Sequence, residues 1–190
     1  MGYRGIGKPP NNSNTKKYGK PERSLFSSTR LLSLKHKIKI VDEKNMLVYC
    51  AETKFPSLHD KTFVFDCTGN QIACIERKLF SFHQVHTIMM DNGKKFEVAN
   101  ELLHVVKKVI NIKDLNWKIV GNVLALNFEI YDQSGDVVAI ISQKAISLHD
   151  KYCIDIYQPK YEKTIVAILV TIQHMIRNGE NATANSGTQK

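Results

Sequence analysis

The chain alternates short apolar runs with tight polar breaks over most of its length. Thr62-Phe63-Val64-Phe65, Gln71-Ile72-Ala73-Cys74-Ile75, Phe128-Glu129-Ile130-Tyr131 and Val137-Val138-Ala139-Ile140-Ile141 are rich in β-branched and aromatic residues. Runs this short, bounded by turn residues, predict strands. Thr68-Gly69-Asn70 and Ser134-Gly135-Asp136 place glycine in the breaks, where a turn needs positive φ. Asn92-Gly93 predicts a two-residue hairpin turn with both residues at positive φ. About eleven strands are expected, a number that suits a closed antiparallel barrel or a sandwich.

A repeat runs beneath this pattern. Leu32-Ser33-Leu34, Pro56-Ser57-Leu58 and Phe80-Ser81-Phe82 recur every 24 residues, with a later copy at Ile146-Ser147-Leu148. Nine residues after the first three serines come Asp42, Asp66 and Met90, and three further on come Asn45, Gly69 and Gly93. The unit reads as strand, tight turn, strand and linker. Tyr161 to Ile176 differs. It lacks Gly and Pro, and Ile165-Val166-Ala167-Ile168-Leu169-Val170 is apolar on every helical face. Such a helix must be buried. From Thr164 to Ile176 it spans about 20 Å at 1.5 Å per residue, short of the ~30 Å bilayer core, and Gln173 and His174 shorten the apolar part further. It is expected inside the β structure, and no transmembrane segment is expected.

Composition sharpens the picture only in its charge. The chain of 190 residues carries a net charge of +9 and a mean hydropathy of −0.26. Residues 1–30 hold Arg4, Lys8, Lys16, Lys17, Lys20, Arg23 and Arg30 against Glu22 alone, so most of the excess lies there. These residues are rich in Gly, Pro, Asn and Ser and read as a disordered basic arm. The expected folded domain is 31–176, and 177–190 reads as a disordered polar tail. Met1-Gly2 is followed by Ile6 where a myristoylation motif needs Ser or Thr, and no signal-peptide core is present. Cys50, Cys67, Cys74 and Cys153 form no CxxC pair and read as reduced packing residues. The expected location is cytoplasmic, peripheral at membranes.

The pattern is similar to that of the LURP-one-related proteins of the tubby C-terminal-like superfamily, which includes the phospholipid scramblases. The residues that carry the resemblance are Lys54-Phe55-Pro56-Ser57-Leu58-His59-Asp60-Lys61, Asp66-Cys67-Thr68-Gly69-Asn70-Gln71-Ile72-Ala73, Lys78-Leu79-Phe80-Ser81-Phe82 and Ile130-Tyr131-Asp132-Gln133-Ser134-Gly135. The resemblance covers about 31–176. It implies a mainly β fold, a twelve-stranded closed antiparallel barrel around a central hydrophobic C-terminal helix. Tubby proteins bind phosphoinositides, scramblases associate with membranes, and plant members are linked to defence. The chain lacks the scramblases' cysteine cluster, acidic calcium-binding segment and membrane helix, so scrambling is not expected and no functional residue carries over.

Chemistry-bearing motifs are sparse. Ser57, His59 and Asp60, copied as Ser147, His149 and Asp150, are triad ingredients. Adjacent strand residues point to opposite faces, so a turn-and-pairing role is expected for them instead. His83 and His86 have no helical frame that would make a metal pair. There is no phosphate-binding glycine loop. No catalytic residue, cofactor or metal is expected, and the protein reads as non-enzymatic. The informative constellation is Lys35-His36-Lys37-Ile38-Lys39-Ile40. On a strand, Lys35, Lys37 and Lys39 share one face ~7 Å apart, a spacing that meets adjacent phosphates. With Lys16, Lys17, Lys20 and Arg23 of the arm they are the expected contacts to anionic membrane lipid of the phosphoinositide type. A protein-interaction scaffold in stress or defence is the alternative. Nucleic-acid binding through the arm is another, weakened because only Tyr3 and Tyr18 interleave with its cations.

Overall fold

The computed structural model describes residues 17–28, 37–54, 61–78, 85–99, 109–144 and 151–186. Twelve strands form one antiparallel sheet. They are β1 (Arg23–Ser28), β2 (Lys37–Val41), β3 (Leu47–Lys54), β4 (Lys61–Asp66), β5 (Gln71–Lys78), β6 (Val85–Met90), β7 (Lys95–Ala99), β8 (Val109–Ile112), β9 (Trp117–Asn122), β10 (Asn127–Tyr131), β11 (Val137–Lys144) and β12 (Lys151–Ile156). Sequence neighbours pair throughout except β7 and β8, and β1 pairs with both β2 and β12. The sheet therefore curls until its end strands, β7 and β8, lie side by side in a nearly closed barrel. A 3-10 turn, Lys113–Leu115, packs against β7 at this seam, and Asp114 accepts the Glu97 backbone N–H at 3.1 Å.

The repeated turn explains itself chemically. In the first copy Asp42 Oδ1 accepts the N–H groups of Lys44 and Met46, and Asn45 sits at φ 63°. Asp66 Oδ1 takes Thr68 and Asn70 N–H with Gly69 at φ 86°, and Asp132 Oδ1 takes Ser134 and Asp136 N–H with Gly135 at φ 84°. The carboxylate satisfies two backbone donors, and the fourth residue must be Gly or Asn because it is left-handed. The expected two-residue turn at Asn92-Gly93 is corrected here. Only Gly93 takes positive φ, and its N–H bonds the Met90 carbonyl at 3.1 Å. All four are four-residue turns with one left-handed residue, and at the three aspartate turns the register of the flanking strands shifts, as at a bulge. The serine elements of the repeat (33, 57, 81 and 147), the two Ser-His-Asp copies and His83 lie outside the described residues.

The helix is where the apolar pattern puts it. Helix α1 (Glu162–Ser186) follows β12 through a 3-10 turn at Pro159–Tyr161. Every side chain from Ile165 to Ile176 is buried. The inward residues of the wall close on it: Leu25, Ile40, Ala51, Val64, Ile75, Ile88, Phe96, Ile119, Phe128, Ile141 and Ile154 belong to one core cluster with the helix. Thr171, buried within it, returns its hydroxyl to the Ala167 carbonyl at 2.8 Å, which satisfies the donor without a partner from the wall.

Two boundaries differ from expectation. Arg23–Ser28 is a wall strand hydrogen-bonded on both sides, so the barrel begins inside the region read as a disordered arm. Its six residues, with only Leu25 and Phe26 apolar, are too short and too polar to signal a strand. Pairing on both edges, not propensity, makes it one. The helix runs to Ser186, ten residues past the expected end.

Candidate functional site

The helix fills the barrel, so the accessible chemistry among the described residues lies on its outside and at its ends. Lys37 and Lys39 sit on the outer face of β2, with Ile38 and Ile40 turned to the interior, as the alternation predicts. Lys37 Nζ donates to Glu52 Oε1 of β3 at 2.6 Å, and that bond holds the ammonium above its ordinary pKa. Lys39 pairs in register with Cys50, and Cys50 with Phe65. It is exposed and has no ion-pair partner among the described residues. Lys35 lies outside the described residues.

The arm residues go elsewhere. Lys17 Nζ stands 3.9 Å from Glu129 Oε2 and 4.4 Å above the Tyr18 ring. The Tyr18 hydroxyl donates to Glu129 at 2.9 Å and lies 2.7 Å from the Tyr131 hydroxyl, while its ring meets Tyr157 edge-on at 6.2 Å. Tyr131 also donates to Glu129. Burial, then these hydrogen bonds, drive the Tyr131 hydroxyl pKa upward. The segment ahead of β1 is thus strapped to the outside of β10. Four strand steps of twelve separate β10 from β2, about a third of the circumference. Lys17 and Lys39 therefore cannot meet one flat surface together. Lys20 is exposed beyond the strap, and Lys16 lies outside the described residues.

Arg23 is engaged in the fold. Its Nη1 donates to both Glu162 oxygens at 2.7 and 3.0 Å, and Tyr49 gives the same carboxylate a third bond at 2.8 Å. The knot ties β1, β3 and the first turn of α1 together. Sequence reasoning missed it, because Glu162 stands 139 residues from Arg23. It also missed Met46 and Leu47, adjacent apolar residues at the start of β3 that are 57% and 43% exposed. Their signal was an apolar run that begins one residue too early for a buried strand.

The interior polar groups cluster at the far end of the helix. His174 Nε2 lies 3.4 Å from Thr53 Oγ1 and 3.3 Å from Thr62 Oγ1, whose own separation is 2.9 Å. Gln173 Nε2 reaches Ser27 Oγ at 3.4 Å. On β6, His86 is 3% exposed and sits opposite Arg77. Burial, assisted by the Arg77 charge, pulls its pKa down to about 4. The four cysteines are free thiols, with Cys67 exposed in a turn. No group of His, Cys, Asp and Glu among the described residues could hold a metal ion. Nor is any described helix long and apolar enough to cross a membrane.

A family model described as LURP-one-related matches residues 23–173. The chain belongs to the LURP-one-related family. The match starts at the first residue of β1, in keeping with the corrected boundary. Bacillus subtilis (strain 168) has a relative, the uncharacterized protein YxjI, 26% identical over 157 residues that cover 83% of this chain and 96% of YxjI. An Arabidopsis thaliana protein of X-ray structure aligns at 15% identity and a TM-score of 0.47, covering 82% of this chain and 94% of that one.

Proposed function

We propose that this LURP-one-related barrel is a non-enzymatic module that binds anionic membrane lipid, of the phosphoinositide type, through the outer face of β2. The observation that carries the reading is Lys39. It stands exposed beside Lys37 on a strand face whose neighbours across the sheet, Cys50 and Phe65, are apolar. A cation over an apolar wall suits the boundary between headgroups and acyl chains. The filled interior supports a surface role, since the helix occupies the space where a barrel would hold a small ligand. Arg23 and Lys17 leave the proposed contact set, because Glu162 and Glu129 already engage them.

Flotation of the full chain with vesicles tests this at ~0.15 M salt, where the screening length is about 8 Å. Phosphatidylserine and phosphoinositide vesicles should recruit the protein, neutral vesicles should not, and Lys39→Ala should weaken recruitment. Equal binding to neutral vesicles, or none to any vesicle, overturns the reading and shifts weight to a protein-partner scaffold.

A further inference from the structure

The four like-built turns lie at one end of the barrel and differ at one pair of positions. In each, the first residue donates its backbone N–H to the carbonyl of the fifth: Asp42 to Met46 at 3.0 Å, Asp66 to Asn70 at 3.0 Å, Met90 to Lys94 at 2.8 Å and Asp132 to Asp136 at 3.0 Å. The fifth residue is exposed in all four. Three turns meet water there with a polar or charged side chain, followed at the sixth position by Gln71, Lys95 and Val137. The first turn presents Met46 and Leu47, both exposed. The backbone therefore accepts a polar residue at this place, and the fold does not call for the apolar pair. Met89, Val109 and Leu124, the other exposed large apolar residues among the described ones, stand singly, which is ordinary for a protein surface.

The pair is held firmly by its backbone. Met46 gives its N–H to Asp42 Oδ1 at 2.8 Å while its carbonyl takes the Asp42 N–H. Leu47 enters β3 in register with Val41, and Val41 lies opposite Phe26 of β1. Cations flank the pair. Lys39 stands two positions before Val41 on β2, and Lys44 is exposed in the turn itself. Glu43 is the exposed acid of the turn, whereas Asp42 uses its carboxylate on backbone N–H groups.

We infer that the β2–β3 turn is a membrane wedge: Met46 and Leu47 enter the acyl boundary of an anionic bilayer while Lys39 and Lys44 meet its headgroups. The inference rests on the lipid-binding reading and gives that site its insertion element. An apolar pair flanked by cations matches the layer where headgroup phosphates lie over acyl chains. A backbone already fixed brings the pair to the surface without further ordering, and the flexible Met side chain adapts to fluid chains. Two side chains fall far short of the ~800 Å² per partner that a stable protein interface buries, whereas a bilayer accepts a single inserted turn.

The test grafts the second turn's residues onto the first in the full chain. Met46→Asn with Leu47→Gln places there the pair that Asn70 and Gln71 already form, so the melting temperature should stay within about 2 °C of the parent. Flotation with phosphatidylserine and phosphoinositide vesicles at ~0.15 M salt should fall by roughly ten-fold for each apolar residue removed. Leu47→Trp reads insertion directly. Its emission should shift to the blue on anionic vesicles and be quenched by brominated acyl chains, against the constant signal of the buried Trp117. Unchanged recruitment of the double variant, with recruitment still lost in Lys39→Ala, overturns the wedge and leaves the lipid reading in place. A Leu47→Trp emission that ignores brominated lipid on recruited protein does the same. Absence of recruitment of the parent by any vesicle overturns both. A larger fall in melting temperature in the double variant assigns the pair to the fold and overturns the inference. A parent that ignores vesicles and sediments as a dimer, with the double variant monomeric, assigns the pair to a second copy of the chain and overturns the membrane assignment.

Discussion

Replacing Glu162 with alanine should unfasten the barrel at one point. Its carboxylate accepts from Arg23 twice and from the Tyr49 hydroxyl once, and Glu162 is itself 8% exposed. Tyr49 is 7% exposed, so losing its acceptor strands a buried hydroxyl, at a cost of about 1–3 kcal/mol. Glu162 also lies in the first turn of α1, where a negative charge is worth about 0.5 kcal/mol against the helix dipole. The Arg23 pair adds less than ~1 kcal/mol, since the arginine side chain is 42% exposed. The expected sum is about 3 kcal/mol. For a domain of this size that is a fall of roughly 6–12 °C in melting temperature. Tyr49→Phe should cost only about 1 kcal/mol, because Glu162 keeps Arg23. Urea denaturation of the single and double variants would complete the cycle. The reasoning fails if Glu162→Ala costs under ~1 kcal/mol, or if the two changes add without coupling.

Three further outcomes follow from burial, backbone and charge. Ile168→Ala, at a fully buried helix position, should cost about 2–5 kcal/mol in urea denaturation. Gly121→Ala should cost about 2 kcal/mol or more. Its Cβ would meet Asn127 O at 2.7 Å and Phe128 Cα at 2.9 Å, both backbone, at φ +130°; a neutral melting temperature contradicts this. His86 gives a pH signature. Its folded pKa near 4 lies below the ordinary 6.5, so its contribution is complete above pH 6.5 and is lost as pH falls toward 4. The loss should reach about 2–3 kcal/mol, and His86→Leu should flatten stability against pH in that window.

Local chemistry made much of this fold legible. Asp42, Asp66 and Asp132 each announce a turn, because one carboxylate serves two backbone donors and a left-handed residue follows three positions on. The helix announced itself because no surface position tolerates Ile165 to Val170 apolar on all sides. β1 stayed hidden, since its pairing partners lie as far away as Ile156. The candidate site divides in the same way. Lys37 and Lys39 share a face by the pleat alone, which sequence shows. That Lys17 sits a third of the way around the barrel from Lys39 depends on a closed ring. Spacing along the chain does not carry ring geometry. The turn at Asn92-Gly93 was misread because dipeptide preference favours two-residue turns, whereas the bond from Gly93 N–H to Met90 sets the longer one.

The order in which the barrel closes has a consequence for biosynthesis. β1 leaves the ribosome early, but its second partner, β12, is made about 120 residues later, and the helix that becomes the core follows β12. Until then, every finished hairpin displays an inward face with nothing to cover it. Such long-range closure makes folding slow and leaves nascent chains open to aggregation. The nascent protein should therefore lean on holding chaperones until α1 emerges. A chain stalled after β11 should stay protease-sensitive along its whole length, instead of gaining resistance hairpin by hairpin.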